Sequence, residues 1–203
     1  MEARIARILS IVFHPLLIPT YFVAVLMNLN IFFALMIPVR ARWQIIVLIL
    51  ITSAIFPMIT IYGMYRFRLL KSMGMENREE RLYPYLATSI FFFLATYMVW
   101  QINISPVYYY VMLGASILAI LTLLINIYWK ISAHTVSMGG ALGILIALQS
   151  VLLLDLLWLI AATVFVSGLL GFARLRAGSH TQAQIYAGYL VGFLVTFLLI
   201  LYY

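Results

Sequence analysis

The sequence predicts an all-α protein, a polytopic bundle of about six to seven membrane-crossing helices. Three observations carry this expectation. Two thirds of the residues are apolar (67%) and only 8% are charged, a balance that no water-facing surface tolerates, so a soluble fold is excluded. The apolar residues come in runs of about 18 to 25, each long enough as a helix to cross roughly 30 Å of hydrocarbon. Stretches such as Ile45 to Ile55 and Leu190 to Leu201 are apolar on every face, which is not the alternating polarity of a membrane β-barrel.

Taken in order, spans are predicted near 9–36, 43–65, 83–101, 107–128, 135–153, 155–173 and 182–202. The first is the least regular, because His14-Pro15 and Pro19 interrupt it and invite a kink or an interfacial stretch. Ahead of it, Met1 to Arg7 resembles the basic lead of a signal peptide, but no small-residue cleavage site precedes a polar mature domain, so the segment is expected to be retained. Trp43, Trp100 and Trp129 stand near span ends, as residues of an aromatic belt do. Asp155 falls in a hairpin between two spans, where turn or interface duty is expected of it. Gly139, Gly140 and Gly143 form a small-residue stripe and Gly188 with Gly192 a GxxxG step; both read as close helix packing within the bundle. With no linker, low-complexity tract or repeat, residues 1–203 read as a single integral membrane domain whose motif-bearing core covers about 66–202. The chain has no cysteine, which removes disulfides, thiol catalysis and thiolate metal sites.

Most of the charge gathers in three places: Arg66 to Arg81, Lys130 to His134, and Arg174 to His180. Two predicted spans separate each cluster from the next. An even number of crossings returns the chain to the same side, so all three clusters are expected on one membrane face. Such a gathering makes a cationic pocket whose ligand is an anion, phosphate above all. Because the walls are lipid-facing helices, a lipid phosphate is the economical ligand. Arg4, Arg7, Arg40, Arg42, Arg66 and Arg68 read instead as headgroup anchors, and His14 before Pro15 as a satisfied interfacial histidine. The motif face collects every basic residue except Arg40 and Arg42, which the positive-inside rule reads as cytoplasmic.

Ser179 followed three residues later by Gln182 is a capping-box pattern, which would start the last helix at Ser179 and put His180 in its first turn. The backbone donors and helix dipole there favour a bound anion and disfavour a protonated imidazole, so His180 is expected as a neutral nucleophile beside a phosphate. Ser132 as a cap places His134 two residues into the helix that follows. One histidine can then attack while the other protonates the leaving oxygen.

These residues resemble the motifs of the phosphatidic acid phosphatase type 2 (lipid phosphate phosphatase) superfamily: Lys-x6-Arg-Pro, then Pro-Ser-Gly-His, then Ser-Arg-x5-His-x3-Asp. Lys71 and Arg78 have the first separation, with Glu79 in place of proline, and Arg81 with Pro84 offers a shifted alternative. Ile131-Ser132-Ala133-His134 keeps the Ser and His of the second motif. Arg174 and His180 have the spacing of the third, preceded by Ala173 in place of Ser. The resemblance covers Lys71 to Gln184. It implies a phosphatidic acid phosphatase type 2-like bundle and a metal-independent, cofactor-free phosphatase or diphosphatase. In it His180 forms a phospho-histidine, His134 is the general acid, and Arg174 with Lys71, Arg78 or Arg81 stabilises the pentavalent phosphorus. Lys130 and Ser132 complete the phosphate-binding set. The implied partners are a lipid or polyprenyl phosphate substrate and membrane lipids, not nucleic acid. The implied residence is the bacterial inner membrane, and family members that work on envelope lipids face outward, against the charge bias.

One departure stands out. Four residues after His180, where the family has Asp, this chain has Gln184. Its carbonyl can accept the imidazole N–H and fix the tautomer, but it supplies no charge. The alternative expectation is therefore a catalytically impaired relative that binds or translocates a phosphorylated lipid.

Overall fold

The computed structural model describes residues 2–72, 74 and 79–202, with side chains from Ala6 onward. Hydrocarbon demands that backbone polar groups be satisfied within each segment, and the described residues form helices and no strand. In chain order these are α1 (Glu2–Val12), α2 (Ile18–Asn28), α3 (Phe32–Leu35), α4 (Val39–Leu50), α5 (Phe56–Arg66), α6 (Leu82–Gln101), α7 (Pro106–Tyr128), α8 (Ala133–Leu152), α9 (Leu157–Arg176) and α10 (Gln182–Leu201). Among the described residues, six stretches are long and apolar enough to cross a membrane: Val39–Arg66, Glu79–Gln101, Pro106–Tyr128, Ala133–Leu152, Leu157–Arg176 and Gln182–Leu201. The chain is an all-helical integral membrane protein.

The stretch expected as a first span, 9–36, is not one helix. α1 ends at Val12, because Pro15 has no N–H to give and bars His14 from helical geometry. α2 starts at Ile18 with Pro19 in its first turn, where a missing N–H costs nothing, and the chain breaks again before α3. Pro57 is absorbed differently: α4 and α5 join through a π turn, Ile51–Ile55, so that Val39–Arg66 continues across it.

The chain packs as two compact units, Met1–Ile18 with Lys130–Tyr203, and Pro19–Trp129. In the Pro19–Trp129 unit α6 and α7 pair, joined by a hydrogen bond between the Thr96 and Ser116 hydroxyls at 2.8 Å. There Arg42 does more than anchor in headgroups, since its guanidinium donates to the carbonyls of Ile37 and Met27 at 2.8 and 3.0 Å and so ties the end of α2 to the start of α4.

In the other unit α8 and α10 pack against each other along much of their length. Gly188 meets Ser132 and Thr135, Gly192 meets Val136 and Gly140, and the Thr196 hydroxyl donates to the Gly140 carbonyl at 2.8 Å. Contacts that ascend together along both helices mean that α8 and α10 run parallel. The glycines permit this: a Cβ on Gly192 would sit 2.1 Å from the Val136 carbonyl oxygen, and one on Gly143 2.5 Å from that of Phe193. Two parallel neighbours require a full return crossing between them, which α9 provides. His134 at the start of α8 and the Arg174 to Gln184 stretch therefore lie at one end of the unit, with Asp155 exposed in the connection at the other. α1 packs along α9.

Candidate functional site: a histidine and arginine cluster

Local sequence fixes each side chain at that end. α9 stops because Gly178 adopts a left-handed backbone (φ +61°). The Gly178 N–H bonds the Leu175 carbonyl at 3.0 Å and the Ser179 N–H bonds the Arg174 carbonyl at 3.2 Å, the paired closure that glycine permits after a helix. Ser179 is thereby spent on terminating α9, and the expected cap moves. The N-cap of α10 is Thr181, not Ser179: the Gln184 N–H reaches the Thr181 hydroxyl at 3.4 Å and the Thr181 N–H reaches Gln184 Oε1 at 3.1 Å. His180 consequently stands just ahead of α10 rather than in its first turn.

His180 is buried, with Nδ1 3.1 Å from Gln184 Oε1. That oxygen already accepts the Thr181 N–H, so Nδ1 must be the protonated nitrogen, which puts the lone pair of the neutral ring on Nε2. Gln184 thus closes the helix start and fixes a histidine tautomer with one oxygen.

His134, second residue of α8, donates from Nε2 to the main-chain carbonyl of Ser10 at 3.0 Å. Arg174, in the last turn of α9, donates from Nη1 to the Ser10 hydroxyl at 3.3 Å. His134 and Arg174 are thus brought together on one residue, Ser10. The His14 ring lies edge-on to that of His134, centroids 5.6 Å apart. Its Nδ1 accepts the Leu16 N–H at 3.3 Å, which places the proton of the neutral ring on Nε2. Burial, and then the charge of Arg174, push the His14 imidazole below its ordinary value of 6.5. His14 is satisfied at Nδ1, as expected of it, and its ring also lines the cluster.

The remaining expected residues divide. Lys130 is half-buried in the connection just ahead of α8. Ser132 holds the N-cap position of α8 by backbone, with its carbonyl accepting the N–H groups of Thr135 and Val136 at 3.1 and 3.0 Å. Its hydroxyl makes no capping bond, and it is fully buried without a hydrogen-bond partner among the described residues. Arg176 is exposed, with its guanidinium over the Phe172 ring at 5.3 Å. Lys71, exposed, and Arg81, buried where α6 begins, belong to the other unit. Arg78 lies outside the described residues.

Sequence reasoning missed Ser10. The available signal was the His14-Pro15 break, which ends α1 and leaves its last carbonyls without helical donors. What the cluster can do follows from its parts: one neutral imidazole with a lone pair on Nε2, a second whose proton-exchanging nitrogen is Nδ1, and a guanidinium. Such groups are able to serve as nucleophile, acid–base group and anion clamp, the two imidazoles at the starts of α8 and α10 and the guanidinium in the last turn of α9. No protein-family model, curated protein or solved structure matches the chain.

Proposed function

We propose that this protein is a membrane phosphatase that hydrolyses a lipid phosphate or diphosphate through a phospho-histidine at His180. The observation that carries the reading is the Gln184 bond that commits the His180 proton to Nδ1. The resemblance to the phosphatidic acid phosphatase type 2 superfamily supports it, and so does the Arg174 clamp beside a second histidine.

In the first step the Nε2 lone pair of His180 attacks phosphorus. The bond from phosphorus to the lipid oxygen breaks, and its electron pair leaves on that oxygen, which takes a proton from Nδ1 of protonated His134. Arg174 neutralises charge on the equatorial oxygens. Water then attacks the phospho-histidine, giving its proton to His134 as phosphate leaves and the Nε2 lone pair returns. The substrates in view are phosphatidic acid, phosphatidylglycerol phosphate, a polyprenyl diphosphate or a lipid A phosphate, and the residence is the bacterial inner membrane.

One observation favours a second reading. Gln184 brings no charge to His180, and its oxygen is shared with the Thr181 N–H, so the same pocket can bind a phosphorylated lipid with its chemistry lost. Incubating the detergent-purified protein with 32P-labelled phosphatidic acid separates the two. Turnover with an acid-labile label on the protein, both absent in His180→Ala, is the expected result. Saturable binding without release, with turnover gained in Gln184→Asp, supports the binder instead, and release undiminished in His180→Ala overturns the phosphatase reading.

A further inference from the structure

We infer that Ser10 is a positioning residue of this site, orienting both its proton-transfer histidine and its arginine; the inference rests on the phosphatase reading above. In a helix that continued past Val12, the His14 N–H would bond the Ser10 carbonyl. Pro15 prevents this, since it offers no N–H to the Ile11 carbonyl and drives His14 out of helical geometry. The His14 N–H turns to Ile11 instead, at 3.3 Å, and the Leu17 N–H closes the turn on the His14 carbonyl at 2.8 Å. The Ser10 carbonyl, one of the last in α1 and so without a helical donor, takes the Nε2–H of His134 at 3.0 Å.

A carbonyl only accepts, so this bond fixes the proton on Nε2 and leaves Nδ1 as the nitrogen that exchanges protons. The arrangement is the logic by which an oxygen acceptor orients a catalytic imidazole. The hydroxyl of the same residue holds the Arg174 guanidinium at 3.3 Å. The edge of the His14 ring against His134 further restricts its rotation. The family resemblance begins only at Lys71, so nothing in those motifs assigns a role to residues 10–15.

The two atoms of Ser10 act on different kinetic constants, which makes the inference testable on the full-length protein in detergent with phosphatidic acid micelles and inorganic phosphate as competitor. Ser10→Ala keeps the carbonyl and loosens Arg174, so KM and the phosphate inhibition constant rise about tenfold with kcat little changed, the scale of one hydrogen bond to a charged group. Ser10→Thr restores both. Pro15→Ala lets His14 reclaim the Ser10 carbonyl, so kcat falls about a hundredfold at near-constant KM, the scale of general acid–base catalysis. Wild-type constants in Ser10→Ala and Pro15→Ala, with His180→Ala inactive, overturn the inference while the phosphatase reading stands. A lower KM in Ser10→Ala overturns it too, since the hydroxyl would then be competing with phosphate. No release from wild type removes both readings together.

Discussion

The parallel seating of α8 against α10 can be broken by one methyl group. In Gly192→Ala the new Cβ would lie 2.1 Å from the Val136 carbonyl oxygen and 2.7 Å from the Gly140 nitrogen. Both are backbone atoms of a regular helix, so neither can turn aside. Relief requires α10 to back away by about 1.5 Å to regain ordinary contact. That displacement takes the Thr196 to Gly140 hydrogen bond from 2.8 Å beyond useful length. Overpacking of this kind costs about 1–3 kcal/mol, and an interhelical hydrogen bond in a membrane adds about 0.6 kcal/mol. The variant should be destabilised by about 2–4 kcal/mol in reversible unfolding from detergent micelles. Gly168→Ala is the control: it lies on α9 in the same unit, and a Cβ there meets nothing within 4 Å, so it should be neutral or slightly stabilising through helix propensity alone. Equal stability of Gly192→Ala and wild type would refute the close-packing argument, as would a loss in Gly168→Ala as large as that in Gly192→Ala.

Further outcomes follow from the site and its supports. Thr181→Ala removes the cap of α10 and should cost about 1 kcal/mol in the same unfolding assay, with a drop in turnover because Gln184 then holds His180 less firmly. His14 is depressed below 6.5 by burial and by Arg174. The unfolded chain therefore binds a proton there more readily than the folded one, and stability should fall as pH drops below 6.5 toward the folded value. His14→Gln should flatten part of that slope in unfolding curves between pH 7 and pH 5; an unchanged slope would show that the ring is not held neutral. Asp155→Asn, exposed in the α8 to α9 connection, should change stability by less than about 0.5 kcal/mol and leave turnover untouched.

Much of this architecture was legible because hydrocarbon leaves few options. Long apolar runs had to be helices, and the glycines of 139–143 and 188–192 had to face something close. The even-crossing argument also brought His134 and the Arg174 to Gln184 stretch to one end, since it counts spans and needs no coordinates. Where two local signals competed, the sequence did not decide between them. Ser179 with Gln182 and Thr181 with Gln184 are equally good capping patterns, and the choice was made by Gly178, whose left-handed turn consumed the Ser179 N–H. The π turn before Pro57 leaves no mark on hydropathy. Ser10 was hard to single out for a deeper reason: its contribution to His134 is a main-chain carbonyl, which every residue has. Only the turn forced by Pro15 makes that carbonyl available.

The bonds from Ser10 span 124 residues to His134 and 164 to Arg174, with a whole compact unit inserted between them. Closing loops of that length is entropically unfavourable and slow compared with pairing neighbouring helices. A chain emerging from the ribosome must therefore hold α1 in waiting while α2 to α8 are made, and His180 arrives only after α9. On the phosphatase reading proposed above, a chain inserted only as far as α9 would hold Arg174 and His134 without His180, and so could not attack the lipids of the membrane that is receiving it.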